Sequence, residues 1–158
     1  MDRTDSSLVA LRRILRATEI FGRELARSAG LTAVQFRVLQ VVAESGNSTA
    51  TVISSRMRVS QATITALVDK LVSHGMVTRE KSQIDRRQTD IIITDHGRRT
   101  IQESPDPLQQ RFVRRFHDME DWEQSMLVSS LERVAAMLDA EDLDAAPVLE
   151  TGDLRKQP

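Results

Sequence analysis

Apolar residues recur every three or four positions through most of the chain, the spacing of helices that bury one face. Residues 7–29 carry such a stripe at Leu8, Leu11, Leu15, Thr18, Gly22, Leu25 and Ala29. A second helix opens at Thr32, where Thr32 and Gln35 have the spacing of a capping box. It carries Phe36, Val38, Leu39, Val41 and Val42 and ends near Ser45. Gly30, Gly46 and Gly75 follow apolar helical patterns, where a left-handed residue closes a helix. A short helix is predicted from Thr49 to about Met57, and another from Ser60 to His74. The inner face of the latter is Ile64, Leu67, Val68, Leu71 and Val72. After Gly75 the period changes. Met76 to Lys81 and Asp90 to Thr94 read as two strands around a charged connection, a small antiparallel hairpin. Thr94 caps a further helix, broken at Ser104-Pro105-Asp106-Pro107, because a proline inside a helix costs a hydrogen bond. Helical patterns resume through Leu108, Phe112, Val113 and Phe116, and from about Asp121 to Ala140.

Charge is distributed unevenly along this pattern. The 158 residues carry a formal net charge of −1. Residues 49–100, however, hold nine Lys/Arg against five Asp/Glu, a net of +4, and residues 101–158 hold six against thirteen, a net of −7. A basic middle suits a polyanionic partner. Apolar residues at 40 % and charged residues at 28 % fit a globular chain. No apolar run reaches the length of a membrane span and the first residues do not resemble a signal peptide, so a cytoplasmic location is expected. With no cysteine, disulfides, thiolate zinc sites and thiol redox sensing are excluded.

The candidate chemistry lies in the basic middle. Two helices joined by Arg58-Val59-Ser60 form a helix-turn-helix pattern, and the second has the residues of a reading helix. Gln61 can pair with adenine, Thr63 and Thr65 can touch thymine methyls or phosphates, and Lys70 suits a phosphate. Ala62 and Ala66 allow close approach. An ordinary amphipathic helix would share these features, but the strand-loop-strand that follows adds a wing. Arg86 and Arg87 stand near its tip, where the negative potential of a narrow minor groove would attract them. Asp85 is expected to orient the arginines. No glycine-rich phosphate loop, catalytic triad spacing or metal motif is present, so no enzyme activity and no cofactor is expected. His74, His96 and His117 lie on different helices without ligand spacing, and no metal site is assigned.

From Leu31 to Gly97 the chain resembles the multiple antibiotic resistance regulator (MarR) family. The resemblance rests on LTAVQFRVLQVVAESG, SSRMRVSQATITALVDKLVSHGMVTRE and, most specifically, DRRQTDIIITDHGRR. It implies a mainly α fold with a small β-hairpin wing. A dimerisation helix at 7–29 precedes a winged helix-turn-helix at 31–97, followed by dimerisation helices at 98–140 and an acidic tail at 141–158. It also implies a homodimer on a palindromic double-stranded operator, with Ser60, Gln61, Thr63 and Thr65 facing the major groove and Arg86 and Arg87 on the wing. Ligand-responsive repression is the function that follows; a protein-interaction module and a metal-responsive regulator are the alternatives. The resemblance further places an effector pocket around Arg16, Phe21, Phe36, Arg37 and His96. The tail, Asp142 to Glu150, resembles the C-termini of the branch that controls compatible-solute (ectoine) synthesis genes.

Overall fold

The computed structural model describes residues 2–104 and 107–144. The chain divides into two compact units, one holding every element as far as the helix that follows the hairpin, the other holding the last two helices.

Helix α1 spans Arg3–Ser28, starting four residues before the predicted start at residue 7 and ending one residue before the predicted end. The cause is a capping box: Asp2 accepts from the Asp5 backbone N–H at 2.8 Å, and Asp5 accepts in return from that of Asp2. The buried residues of this helix, Leu25 and Ala26, both lie near its C-terminal end, and the helix packs on the next one. Helix α2, Ala33–Ser45, begins with the predicted box, Gln35 N–H to Thr32 at 3.3 Å and Thr32 N–H to Gln35 at 3.1 Å. It ends at Gly46 with φ 79°, a conformation that costs glycine nothing. All five of its predicted core residues are buried.

Strand β1, Asn47–Thr49, was not predicted. Its three polar residues have no apolar alternation, and it exists only because Ser48 pairs with Ile91 in the last strand. Thr49 ends the strand and caps α3, Ala50–Met57, accepting from Val52 N–H at 3.3 Å. Helix α4, Gln61–Ser73, is capped by Ser60. Ile64, Val68 and Leu71 are fully buried; Leu67 is half-buried, and Val72 is exposed, contrary to the predicted inner face. At about 100° per residue, Val72 lies about 80° round the helix from Ile64, at the edge of the buried stripe.

Strand β2, Val77–Lys81, and strand β3, Thr89–Ile93, pair antiparallel with Val77 opposite Ile93. The sheet therefore has three strands in the order β1-β3-β2, one more than the predicted hairpin. Met76 precedes β2, and Thr94 follows β3 as the cap of α5, Asp95–Gln102. Ile53, Ile64, Val68 and Leu71 meet Val77, Ile91 and Ile93 in one core with α2.

In the second unit, α6 spans Pro107–His117 and α7 spans Asp121–Met137. The predicted break falls after α5, and helical structure restarts at Pro107, a position where the missing N–H costs nothing. Phe112 and Phe116 stack at 5.7 Å. Helix α7 stops three residues short of the predicted end, where Asp139 takes φ 51°. None of its residues is buried, and Trp122, Met126, Leu131 and Met137 are exposed. Residues 145–158, most of the predicted acidic tail, lie outside the described residues.

Candidate nucleic-acid interface

The turn between α3 and α4 is fixed from both sides. Arg58 closes α3 in the left-handed region, φ 53°. Val59 N–H donates to the Ser54 carbonyl at 3.2 Å, and Ser54 Oγ donates to the Val59 carbonyl at 2.5 Å. Val59 also packs on the core, so α4 leaves the turn in one direction.

On the outer side of α4, Ser60, Gln61, Ala62, Thr63, Thr65, Ala66 and Lys70 are all exposed. Ser60 Oγ accepts from Thr63 N–H at 3.2 Å and lies 2.8 Å from Thr63 Oγ1. Thr65 Oγ1 donates back to the Gln61 carbonyl at 2.9 Å. Gln61 Nε2 donates to Thr51 Oγ1 of α3 at 3.3 Å. The two threonine hydroxyls are thus directed along their own helix, while the Gln61 amide bridges the two helices of the motif.

The loop after β2 is organised by two small polar residues. Ser82 is buried; its N–H donates to the Gln88 carbonyl at 3.0 Å, and its Oγ accepts from Ile84 N–H at 3.3 Å and Asp85 N–H at 3.4 Å. Gln88 N–H donates to the Asp85 carbonyl at 2.9 Å. The Asp85 carboxylate accepts from the backbone N–H of Arg87 at 3.0 Å. Asp85 therefore shapes the turn that carries the arginines through the main chain, an Asx-turn. Arg86 and Arg87 are exposed.

Arg79, which the sequence pattern did not single out, joins the wing to the helix. From β2 its Nη1 lies 2.6 Å from Asp69 Oδ1, and its Nη2 donates to the Thr65 carbonyl at 3.2 Å. Asp69 lies eight residues after the start of α4 and ten before Arg79, and Thr65 four after that start and fourteen before Arg79. No local spacing rule encodes such a pair; only the antiparallel return of the chain creates it. A second ion pair, Arg56 to Glu44 at 2.5 Å, ties α3 to α2.

The expected effector residues are dispersed in burial. Phe36 is 3 % exposed, within the core; Phe21 is half-buried; Arg16, Arg37 and His96 are exposed. Arg16 donates to Glu19 at 3.3 Å. Glu19 is shared with Arg23, whose hydrogen bond and charge hold its carboxyl below the usual value. A cavity of about 250 Å³ lies elsewhere, lined by Ala50, Thr65, Val68, Arg79, Thr89 and Ile91. Among the described residues no group of three or more potential metal ligands gathers, and no helix is long and apolar enough to cross a membrane.

A helix-turn-helix followed by a β-hairpin that completes a three-stranded sheet and carries two arginines on its loop defines a winged helix-turn-helix protein. The family model for MarR matches residues 31–89. An uncharacterised HTH-type transcriptional regulator of Bacillus subtilis, YpoP, is 30 % identical over 116 residues, 73 % of this chain and 78 % of its own. A MarR family protein from Bacillus stearothermophilus has a similar structure, with a TM-score of 0.67 and 26 % identity, over 88 % of this chain and 99 % of that one. The fold is also that of reduced AbfR bound to DNA, at TM-score 0.56 and 23 % identity, over 86 % and 94 % of the two chains. The chain belongs to the MarR family of transcriptional regulators.

Proposed function

We propose that this regulator acts in the cytoplasm as a homodimer that binds a palindromic double-stranded operator and represses transcription until a small molecule releases it. The observation that carries the reading is that the polar outer side of α4 and the arginines of the wing are both exposed on one unit, held together by Arg79. In this reading Ser60, Gln61, Thr63 and Thr65 enter the major groove, Lys70 meets a phosphate, and Arg86 and Arg87 reach the minor groove. The relative AbfR, solved bound to DNA, supports it.

Dimerisation is supported by apolar side chains left exposed on α1 and α7: Leu8, Leu15, Trp122, Met126 and Leu131 among them. A second copy would cover them. Two copies of α4 must then lie about 34 Å apart to enter successive major grooves on one face of DNA. An effector lodged where α1, α2 and the start of α5 meet, near Arg16, Phe21, Phe36, Arg37 and His96, would change that spacing. The exposed Arg37 and His96 favour an anionic or aromatic molecule. A hundredfold loss of operator affinity requires it to prefer the non-binding form by about 2.7 kcal/mol.

Genome-wide mapping of bound sites tests the function directly. It should return a short inverted repeat in promoter DNA, and sedimentation of the purified protein should give twice the chain mass. A folded monomer would overturn the dimer, and absence of salt-sensitive DNA binding would instead favour a winged helix that binds protein. Aromatic acids and compatible solutes titrated into the operator complex at constant ionic strength test the effector; retention of the complex under all of them refutes it.

A further inference from the structure

Ile84 is 100 % exposed, the extreme among the large apolar side chains described. The others that are exposed sit on helices or just beyond the end of α7, whereas Ile84 stands on the loop between β2 and β3. Its main chain is not loose: the N–H donates to Ser82 Oγ, and Ser82 is itself buried and tied across the loop to Gln88. The protein thus fixes the backbone of an isoleucine while leaving its side chain wholly in water. Isoleucine is stiff at χ1, so burying it against a partner costs little rotamer freedom.

Two and three residues beyond it stand the exposed Arg86 and Arg87, in a segment of net charge +4. An apolar side chain beside two guanidiniums calls for a surface that is anionic at its rims and apolar on its walls. The minor groove of DNA has that composition, with phosphates at the edges and deoxyribose carbons between them. Isoleucine is among the side chains that pack into minor grooves. We propose that Ile84 is an apolar foot of the wing, buried against the sugar walls of the minor groove next to the site of Arg86 and Arg87. This rests on the DNA-binding reading above. The contact is not ionic, so it adds affinity without releasing counterions, and it separates from the arginine contacts by its insensitivity to salt.

The test uses the full chain and a DNA fragment recovered by genome-wide mapping. Ile84→Ala should weaken binding about tenfold at every salt concentration, leaving the slope of log affinity against log salt unchanged. Ile84→Leu, which keeps the apolar volume, should retain most of the affinity. Thermal midpoint and sedimentation mass should match the parent in both, because the side chain is entirely in solvent. Parent-like binding by Ile84→Ala overturns the proposal. So does a loss that appears as an altered salt slope, or one that accompanies loss of the dimer. A parent protein that binds no DNA at any salt concentration would refute the DNA-binding reading itself, an outcome distinct from a parent that binds and an alanine variant that binds equally.

Discussion

Gly97 packs against Met76 so tightly that a β-carbon on it would lie 2.1 Å from the Met76 carbonyl oxygen. That carbonyl also accepts the Thr94 N–H at 3.0 Å, while Thr94 Oγ1 donates to the neighbouring Gly75 carbonyl at 2.6 Å and accepts from Gly97 N–H at 3.0 Å. The start of α5 is thereby clasped to the bend that carries the chain from α4 into β2.

Gly97→Ala should cost about 3 kcal/mol, since the obstacle is a hydrogen-bonded backbone rather than a side chain that can turn away. Urea unfolding should show a lower midpoint with an unchanged slope. A parent-like midpoint would mean that α5 can shift away without penalty.

Arg79→Met keeps most of the stem of Arg79 but removes the guanidinium between β2 and α4. The ion pair is partly exposed, so stability should fall by no more than about 1 kcal/mol. Operator affinity should fall further than stability, because the wing and α4 lose their common reference. Combining it with Asp69→Asn should give less than the sum of the single losses, as expected of partners in contact. Full additivity would argue that the pair does not act as a unit.

Arg86→Ala and Arg87→Ala should weaken DNA binding without changing the thermal midpoint, both side chains being exposed. Each lost cationic contact should make the salt slope shallower by about one unit. Gln61→Ala should instead alter which base is preferred at one position of each half-site, measured by selection from a randomised operator. Unchanged affinity in an Arg86/Arg87 double variant would remove the arginines from the interface.

Arg58→Gly should stabilise the fold by about 0.5 kcal/mol. Relief of the left-handed backbone at φ 53° outweighs the extra freedom given to the unfolded chain. Calorimetry should show a higher midpoint, and a lower one would mean that the Arg58 side chain contributes more than its backbone costs.

Local signals were the ones legible in the sequence. The caps at Thr32, Thr49, Ser60 and Thr94 all form, because each depends on a residue three positions away. The left-handed glycines after α1, α2 and α4 follow from the same short range. The start of α1 was hidden because the apolar stripe begins later than the Asp2–Asp5 box. β1 was illegible because its three polar residues acquire their form from β3. The role of Asp85 was partly legible: its place beside the arginines could be read, but its bond to a backbone N–H rather than a guanidinium could not. Arg79 was missed altogether, since its partners lie in another element, across a bend whose geometry no linear pattern states.

The Arg79 bridge bears on how such regulators can be redirected. With the pairing of β2 on β3 and the clasp of Thr94 and Gly97 on Gly75 and Met76, it fixes the pose of α4 against the wing, and these residues lie between Ser60 and Gly97. Exchanging the exposed side chains of α4 alone would leave a foreign helix on a brace cut for another. Transplanting residues 60–97 as one cassette would carry the brace with the side chains it serves, so operator choice in this scaffold should move in a block of about forty residues rather than one position at a time.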